Sequence, residues 1–265
     1  MLKNRRHEQI LEVLQKKGYV GLAELVDELG ASSATVRRDL AYLEEHNLLV
    51  RTHGGAMTAS RSTSLEPSLK VKRGRMPEAK RAIGQAAAAL VSPGETILLD
   101  AGSTTWEVAN CLPRQFHLEI VSNDLEILKL LADIPSFEVV DTGGVVRRSV
   151  YSLMGHVTEN FIRSLRVNWT FLGADAIDPQ YGITNVNLEE VPIKQAMIRA
   201  AMKAVIVADH TKFGCAAFAS VGSLRDVHMV ITDSGLSPEL ANAVREAGVE
   251  LQLVSVGPPS DGHVG

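Results

Sequence analysis

A loop rich in hydroxyl groups follows an apolar segment near the middle of the chain. The segment ETILL precedes residues Asp100–Thr105 (DAGSTT), and the helical pattern TTWEVANCL begins inside this loop. The first turn of a helix has unpaired backbone N–H groups, and hydroxyl side chains add further donors for an anion. An ordinary strand-to-helix turn uses the same residue types, so the loop alone leaves both interpretations open.

Polar residues also end other apolar segments of the same region. Ser122–Asp124 follows one such segment and Gly143–Gly144 follows the next, while Asp175 and Asp178 lie in the sequence GADAID. In an open α/β sheet the carboxyl ends of the strands border one crevice. We therefore expect these loops to converge on the loop Asp100–Thr105.

Two lysines could supply the positive charge that an anion site needs. Lys194 lies in the helical pattern IKQAM, and Lys212 lies in the segment ADHTKFG. A cation beside hydroxyl and N–H donors binds phosphate, although a lysine by itself is more typical of a solvated surface. The predicted anion-binding residues are Asp100, Gly102, Ser103, Thr104, Thr105, Asn123, Asp175, Lys194 and Lys212.

The pattern from Ala82 onward predicts the scaffold that positions these loops. Short apolar segments alternate with helical patterns, which is typical of an α/β domain with a largely parallel sheet. The candidate strands are ETILLDAG, LEIVSND, FEVVDTGG, VNWTFLGAD, KAVIVADH, DVHMVITD and VELQLVSV. The candidate helices are EAKRAIGQAAAALV, TTWEVANCL, NDLEILKLLADI, LEEVPIKQAMIRAAM and SPELANAVREAG. We assign residues 82–257 to this α/β domain and residues 258–265 to a disordered tail.

Residues 1–57 have a different pattern, which predicts three helices and a β-hairpin. Apolar residues at helical spacing indicate helices around Ile10–Leu14 and over Leu22–Leu29. A tight turn at Gly30 leads to a third helix, SSATVRRDLAYLEEHN, which Ser32 or Ser33 caps. The segment LLVRTHGGAM then predicts two strands joined by a Gly-Gly turn. The region is predicted to be a small winged helix-turn-helix domain.

The third helix has one apolar face and one face suited to DNA. Val36, Leu40 and Leu43 share the face that packs on the other helices. The opposite face carries small residues, hydroxyl groups and arginines, which allow close approach to the major groove and contacts with bases or phosphates. A solvated face of a packing module is the alternative. The predicted DNA-binding residues are Ser32, Ser33, Ala34, Thr35, Arg37, Arg38, Arg51 and His53.

Residues 58–81 join the two regions and are interpreted as a basic linker, because they are poor in apolar residues and rich in serine. Only Glu66 and Glu78 oppose their basic residues. Those basic residues are Arg61, Lys70, Lys72, Arg73, Arg75, Lys80 and Arg81. The whole chain of 265 residues has a formal net charge of −4, so DNA binding would depend on a local basic surface.

The composition argues against several other classes of protein. Cys111 and Cys215 lack the spacing of metal ligands, so we expect reduced thiols, no metal site and no cofactor. The start MLKNRRHEQI lacks the apolar run of a signal peptide, and no uncharged apolar stretch approaches the roughly 18 residues of a membrane span. We expect a cytoplasmic protein that does not contact membranes.

Both regions resemble the DeoR family of sugar-metabolism regulators. The resemblance rests on RRHEQIL and LAELVDELGASSATVRRDLAYLEEHNLLVRTHGGAM, and on DAGSTT, VSND, GADAIDPQYGITNVNLEE, IKQAM and ADHTKFG. It implies that about Val20–Asp39 is the helix-turn-helix, and that the larger domain has a fold similar to ribose-5-phosphate isomerase and senses a phosphorylated sugar. The implied protein is a homo-oligomeric regulator, dimer or tetramer. It is expected to repress a carbohydrate operon by binding an inverted repeat of double-stranded DNA.

Departures from the isomerase pattern favour binding without catalysis. Isomerases of this kind carry DGADE. In this sequence Leu172 and Ala176 occupy the positions of the first and last acidic residues of that motif. Their base is a Glu before a Lys, and the residue before Lys194 is Ile193, although the nearby Glu189–Glu190 leaves that alignment open. An apolar side chain cannot abstract a proton, so we expect no catalytic residues and no enzyme activity. The alternatives are a sugar-phosphate isomerase-like enzyme with an appended DNA-binding module, and a helix-turn-helix that binds only protein.

Overall fold

A computed structural model describes residues 3–17, 19–45, 48–52, 54–58, 69–148 and 150–257. The chain divides into two compact units, Met1–Val71 and Lys72–Gly265. The predicted tail, residues 258–265, and the predicted DNA-binding residue His53 lie outside the described residues. None of the helices in the described parts of the chain combines the length and the apolar character that a membrane span requires.

The smaller unit is a winged helix-turn-helix, as the sequence predicts. Its elements are α1 (Lys3–Lys17), β1 (Tyr19–Gly21), α2 (Leu22–Leu29), α3 (Ser33–Glu45), β2 (Leu49–Thr52) and β3 (Gly55–Thr58). Gly30 has a φ of 58°, and this left-handed conformation ends α2 and starts the turn to α3. Strands β2 and β3 form the predicted wing, and β1 adds a third antiparallel strand next to β3.

The larger unit contains the elements from α4 onward, and α4 itself crosses the boundary between the units. Its helices are α4 (Leu69–Gly74), α5 (Pro77–Ala88), α6 (Ser103–Cys111), α7 (Leu125–Leu131), α8 (His156–Ser164), α9 (Val191–Ala200) and α10 (Pro238–Glu246). Its strands are β4 (Thr96–Leu99), β5 (Leu118–Ser122), β6 (Phe137–Asp141), β7 (Val145–Val146), β8 (Leu153–Met154), β9 (Val167–Leu172), β10 (Ala176–Asp178), β11 (Gly182–Asn185), β12 (Ala201–Val207), β13 (Ala219–Gly222), β14 (Met229–Asp233) and β15 (Glu250–Val254).

Seven of these strands form one parallel sheet in the order β15-β14-β12-β9-β4-β5-β6. They are the seven apolar segments that the sequence predicts as strands, so the α/β fold class is confirmed. The strands are apolar on both faces because helices cover both sides of the sheet. Apolar residues of α5, α6 and α7 pack on one face, and those of α8, α9 and α10 pack on the other.

Several elements differ from the sequence-based expectation. Residues 69–81, expected to belong to a basic linker, form α4 and the first turn of α5. This part of the chain has few apolar residues. Ion pairs and hydrogen bonds, described below, help to hold it in place. Helix α8, the hairpin β7–β8 and the small antiparallel sheet β10-β11-β13 were not predicted, because each is short or lacks clear periodicity.

Candidate functional site

The strand order changes direction between β4 and β9, and this point defines a crevice. The chain leaves β4 towards α6 on one face of the sheet and reaches α9 on the other face after β9. The two strands pair in parallel, from Ile97 opposite Trp169 to Leu99 opposite Phe171. Connections that leave neighbouring strands on opposite faces open a crevice at the carboxyl ends of those strands. The loop Asp100–Thr105 lies at this edge.

Asp100 and Lys194 form a buried ion pair at the base of the crevice. Asp100 is 2% exposed and Lys194 is 4% exposed. The Lys194 ammonium donates to the Asp100 carboxylate and, over 2.9 Å, to the carbonyl of Gly173, whose N–H donates to Asp100 over 3.0 Å. Burial opposes the charged form of Lys194, but the carboxylates of Asp100, Glu190 and Asp175 outweigh it and raise the lysine's pKa. Lys194 therefore ties α9 to the strand ends of β4 and β9.

The first turn of α6 presents two hydroxyl groups that are not engaged by the described residues. Ser103 and Thr104 are largely buried, and neither hydroxyl has a hydrogen-bond partner within the described ranges. Thr105 is fully buried and donates to the carbonyl of Gly102 over 3.0 Å, so its hydroxyl stabilises the turn itself. Of the three predicted hydroxyl ligands, Ser103 and Thr104 are those available to a bound anion.

The loop after β5 supports this turn. Asp124 accepts the N–H of Gly102 over 3.2 Å, and its other carboxylate oxygen caps α7 by accepting from Glu126 and Ile127. Burial raises the pKa of Asp124 to about 6. The two loops are thus joined by one buried carboxylate whose charge is costly to keep.

Asn123, next to Asp124, has an unused hydrogen-bond acceptor. The side chain is 2% exposed, and its amide donates to the carbonyl of Leu153 over 3.3 Å. Its Oδ1 is buried and has no partner among the described residues. Buried polar atoms nearly always have a partner, so this oxygen needs a donor such as a ligand hydroxyl or a water molecule.

Cations surround Asp175 on the other side of the crevice. Its Oδ1 accepts from Lys72 over 3.0 Å, and its Oδ2 accepts from the N–H of Val186 over 3.0 Å. Burial opposes ionisation, yet Lys72, Lys212 and Lys194 hold the pKa of Asp175 well below its usual range. Asp175 is therefore a carboxylate that remains charged while closely surrounded by lysines.

The Lys212 ammonium has no hydrogen-bond or ion-pair partner among the described residues. Its side chain is half-buried, and burial together with the charge of Lys72 lowers its pKa, while Asp175 and Asp209 oppose this change. Lys80 lies nearby, 4.0 Å from Asp209, and burial lowers its pKa to about 8. We define the cation cluster as Lys72, Arg75, Lys80 and Lys212, which faces the two carboxylates Asp175 and Asp209.

Three members of the cation cluster are not among the predicted site residues. Lys72, Arg75 and Lys80 lie in the segment that was interpreted as a linker. The available signal was the excess of basic residues there, which indicated charge but gave no partner. Lys194 was expected to bind phosphate, whereas its ammonium is already engaged by Asp100 and Gly173.

The glutamates near Lys194 are relevant to the isomerase alternative. Ile193 is buried in the core, so the residue before Lys194 carries no base. The Glu190 carboxylate accepts from Arg147 over 2.8 Å, from Asn185 over 2.8 Å and from Ser152 over 3.2 Å. Both oxygens of this carboxylate are therefore engaged by donors of the protein.

Helix α3 exposes the face that the sequence predicts for DNA. Val36, Leu40 and Leu43 are buried. Ser32 caps the helix, because its hydroxyl accepts the N–H of Thr35 over 3.3 Å. The predicted DNA-contacting side chains on this helix are exposed or, for Thr35, half-buried; they belong to Ser32, Ser33, Ala34, Thr35, Arg37 and Arg38. In the wing, Arg51 is exposed but pairs with Glu44 at 3.6 Å.

A buried ion network fixes α3 against α1. Asp39 is 3% exposed and accepts from two nitrogens of Arg6 and from Nε2 of His7 over 2.9 Å. Although burial opposes its ionisation, Arg6 and His7 hold the pKa of Asp39 below its usual value. The recognition face therefore points outward because a charged network, as well as apolar packing, sets the rotation of the helix. Apolar periodicity does not predict this network.

Comparison with known proteins gives matches over nearly the whole chain. The family model of the DeoR-like helix-turn-helix domain matches residues 6–62, and that of the DeoR C terminal sensor domain matches residues 75–234. A putative aga operon transcriptional repressor of Escherichia coli O157:H7 is 32% identical over 252 residues, which cover 95% of this chain and 94% of that protein. A glycerol-3-phosphate regulon repressor of Haemophilus influenzae is 36% identical over 255 residues, which cover 96% and 98%.

Solved structures give a weaker match. Ribose 5-phosphate isomerase A from Neisseria gonorrhoeae is 22% identical, and the match covers 51% of this chain and 53% of that chain with a TM-score of 0.37. This similarity is too low to support an argument about function.

Proposed function

The chain belongs to the DeoR family of regulators, and we propose that it represses a carbohydrate operon under the control of a phosphorylated sugar. Family membership makes it a DNA-binding transcriptional regulator with a C-terminal sensor domain. Relatives named as repressors of the aga operon and of the glycerol-3-phosphate regulon support the carbohydrate context. A regulator of this type works at the chromosome, in agreement with the cytoplasmic location expected from the sequence.

For the DNA-binding unit, the proposal is that α3 enters the major groove. Its exposed small residues allow close approach, and Arg37 and Arg38 reach base edges or phosphates. Arg51 in the wing contacts the phosphate backbone after exchanging its partner Glu44. A homo-oligomer presents two such helices to the half-sites of an inverted repeat.

The observation that best supports the sensor proposal is the excess of positive charge in the cation cluster. Four cations face two carboxylates, and the Lys212 ammonium has no polar partner among the described residues. A phosphate group carries between one and two negative charges at neutral pH, which would balance this excess. Lys212 would bind the phosphate, and Ser103, Thr104 and the N–H groups of α6 would donate to its oxygens.

The remaining predicted residues would hold or recognise the ligand. Asp100, Gly102, Thr105 and Lys194 fix the loop through the contacts described above. The unpaired Oδ1 of Asn123 would accept a sugar hydroxyl. A ligand with both a phosphate and hydroxyl groups fits this set better than an inorganic anion.

Binding without turnover is the proposed outcome at this site. Glu190 is engaged by three donors and Ile193 is buried, so neither of these two positions supplies a free base. An isomerase-like enzyme with an added DNA-binding unit is the second candidate, since its site would use the same crevice. A coupled isomerase assay separates the two, because clear turnover that Glu190→Gln abolishes would support the enzyme.

The test of the sensor proposal is a thermal-shift screen followed by calorimetry. The probes are inorganic phosphate, glycerol 3-phosphate, and pentose and hexose phosphates, because a ligand that binds the folded state raises stability by mass action. We expect at least one sugar phosphate to bind, and Lys212→Ala to weaken it by about ten- to a hundredfold, as the loss of a charged hydrogen bond requires. Lys129→Ala, an exposed lysine on α7, is the control. No binding across the panel, or an equal loss in both variants, would refute the proposal.

A further inference from the structure

Helix α4 is held to the sensor by charged side chains. It is the first element after residues 59–68, which follow the last strand of the wing in the chain. Lys72 on α4 donates to Asp175 over 3.0 Å, and both side chains are mostly buried. Of the three α4 residues that belong to the larger unit, Lys72, Arg73 and Gly74, the first therefore contacts a predicted effector-site residue directly.

Lys80 fastens the carboxyl end of the same helix. This residue is 3% exposed, and its ammonium donates to the carbonyl of Lys72 and, over 2.6 Å, to the carbonyl of Arg75. The last carbonyls of a helix lack partners within the helix, so a buried ammonium is a strong anchor for them. Lys80 is also a member of the cation cluster, 4.0 Å from Asp209.

The third contact of α4 is incomplete. Arg73 lies over the ring of Trp106 at 4.8 Å, and its Nη1 donates to Glu126 over a long 3.4 Å. Its Nε and Nη2 are buried without a partner among the described residues. The described residues thus leave two buried guanidinium nitrogens unpaired, which is an unfavourable arrangement that favours movement of the helix when its other contacts change.

We propose that α4 is a latch that the effector opens, by drawing Lys72 away from Asp175. The anion binds at Lys212, next to the Lys72–Asp175 pair, and competes with the Asp175 carboxylate for the Lys72 ammonium. Once that pair is broken, α4 loses one of its charged contacts and keeps the incomplete contact of Arg73, the anchor at Lys80 and the buried side chain of Leu69. When α4 moves, it displaces the segment of chain that leads to the DNA-binding unit. The effector opens the latch only because it binds the open state more tightly.

The inference rests on the proposed function, since it assumes that a phosphorylated ligand occupies the crevice. The experiment is hydrogen–deuterium exchange of the full chain, without ligand, with inorganic phosphate, and with the sugar phosphate that gives the largest thermal shift. We expect the amides of α4 to exchange about five to ten times faster with the sugar phosphate, while those in the first turn of α6 exchange more slowly. Helix α8 serves as the internal reference.

Two outcomes separate the latch from the proposed function. Slower exchange in α6 with no change in α4 would overturn the latch and leave the sensor proposal standing. No change in either helix and no thermal shift with any probe would overturn both.

Variants on α4 test the same idea without relying on the ligand. Lys72→Met should give fast exchange in α4 even without ligand, and the sugar phosphate should add nothing further. Lys70→Met, an exposed lysine on the same helix, is the matched control and should behave like wild type. If Lys72→Met does not fold, Glu126→Gln weakens only the Arg73 contact, by removing the charge of its partner, and should give a smaller increase. Normal α4 exchange in every folded variant would overturn the proposal.

Discussion

The two units use buried charge in different ways. In the DNA-binding unit, Asp39 is fully engaged by Arg6 and His7, and the arginines proposed to contact DNA lie outside this network on an exposed face. In the sensor, Lys194 and Asp100 form a closed pair, but Lys212 and the Oδ1 of Asn123 have no partner among the described residues. A closed network, in which every polar group is paired, fixes a structure. An open network, in which some groups lack a partner, can bind a ligand.

Lys194→Ala should show the largest loss of stability, because it leaves the Asp100 carboxylate buried without its cation. We expect a loss of about 3–5 kcal/mol in the free energy of unfolding of the sensor. Urea unfolding followed by circular dichroism measures it, with Lys129→Ala as the control. If Lys194→Ala is as stable as wild type and loses only effector binding, Lys194 is a ligand-binding residue. The description of Lys194 and Asp100 as a closed structural pair is then wrong.

Asp39→Ala tests the closed network of the other unit. Removing the carboxylate leaves Arg6 and His7 largely buried and unpaired, and we expect a loss of about 2–4 kcal/mol and weaker DNA binding. Asp27→Ala, an exposed aspartate on α2, should change neither quantity. Unchanged stability in Asp39→Ala would mean that apolar packing alone sets the rotation of α3.

Arg38→Ala should affect DNA binding and leave folding intact, because its side chain is exposed. If Arg38 reads a base, the loss is about 1–3 kcal/mol and discrimination at one position of the operator is relaxed. If it contacts phosphate, binding weakens for all sequences. The slope of log affinity against log salt concentration then falls in magnitude by roughly one. Anisotropy titrations at several salt concentrations distinguish these results. Full affinity in both Arg37→Ala and Arg38→Ala would place the wrong face of α3 in the groove.

The pH dependence of stability should have opposite signs in the two units. Arg6 and His7 lower the pKa of Asp39, so the stability that it provides is lost as the pH falls. Burial raises the pKa of Asp124 to about 6, so the folded state binds this proton more tightly and stability is lost as the pH rises from about 4 to about 6.

Asp124→Asn isolates the titration in the sensor, because asparagine keeps the cap on α7 through its Oδ1 but does not titrate. Its Nδ2 cannot accept the N–H of Gly102, so the variant lacks that hydrogen bond. We therefore expect the stability of wild type relative to the variant to fall by about 1–2 kcal/mol between pH 4 and pH 7. Urea unfolding at pH 4, 5, 6 and 7 measures this difference. A difference that stays constant over this range would contradict the prediction.

The sequence predicts the fold better than it predicts the site. The strands of the parallel sheet are found because each is a continuous apolar run, and α2 begins and ends at the predicted residues because the apolar spacing stops at Gly30. Helix α4 is missed because ion pairs with distant residues hold it, and periodicity does not record them. Lys194 is predicted to be a site residue, but the sequence does not predict its pairing with Asp100, which is 94 positions away.

The most direct test of the account is operator binding as a function of sugar-phosphate concentration, in wild type and in Lys212→Ala. The operator is first selected from random DNA with the full chain, and the ligand is the sugar phosphate that binds in the thermal-shift screen. We predict that the ligand weakens operator binding by wild type about tenfold or more, within the usual range of allosteric coupling. Lys212→Ala should bind the operator normally without ligand and not respond to it. A variant that responds like wild type would contradict the account, as would a wild-type protein that binds the ligand without any change in operator affinity.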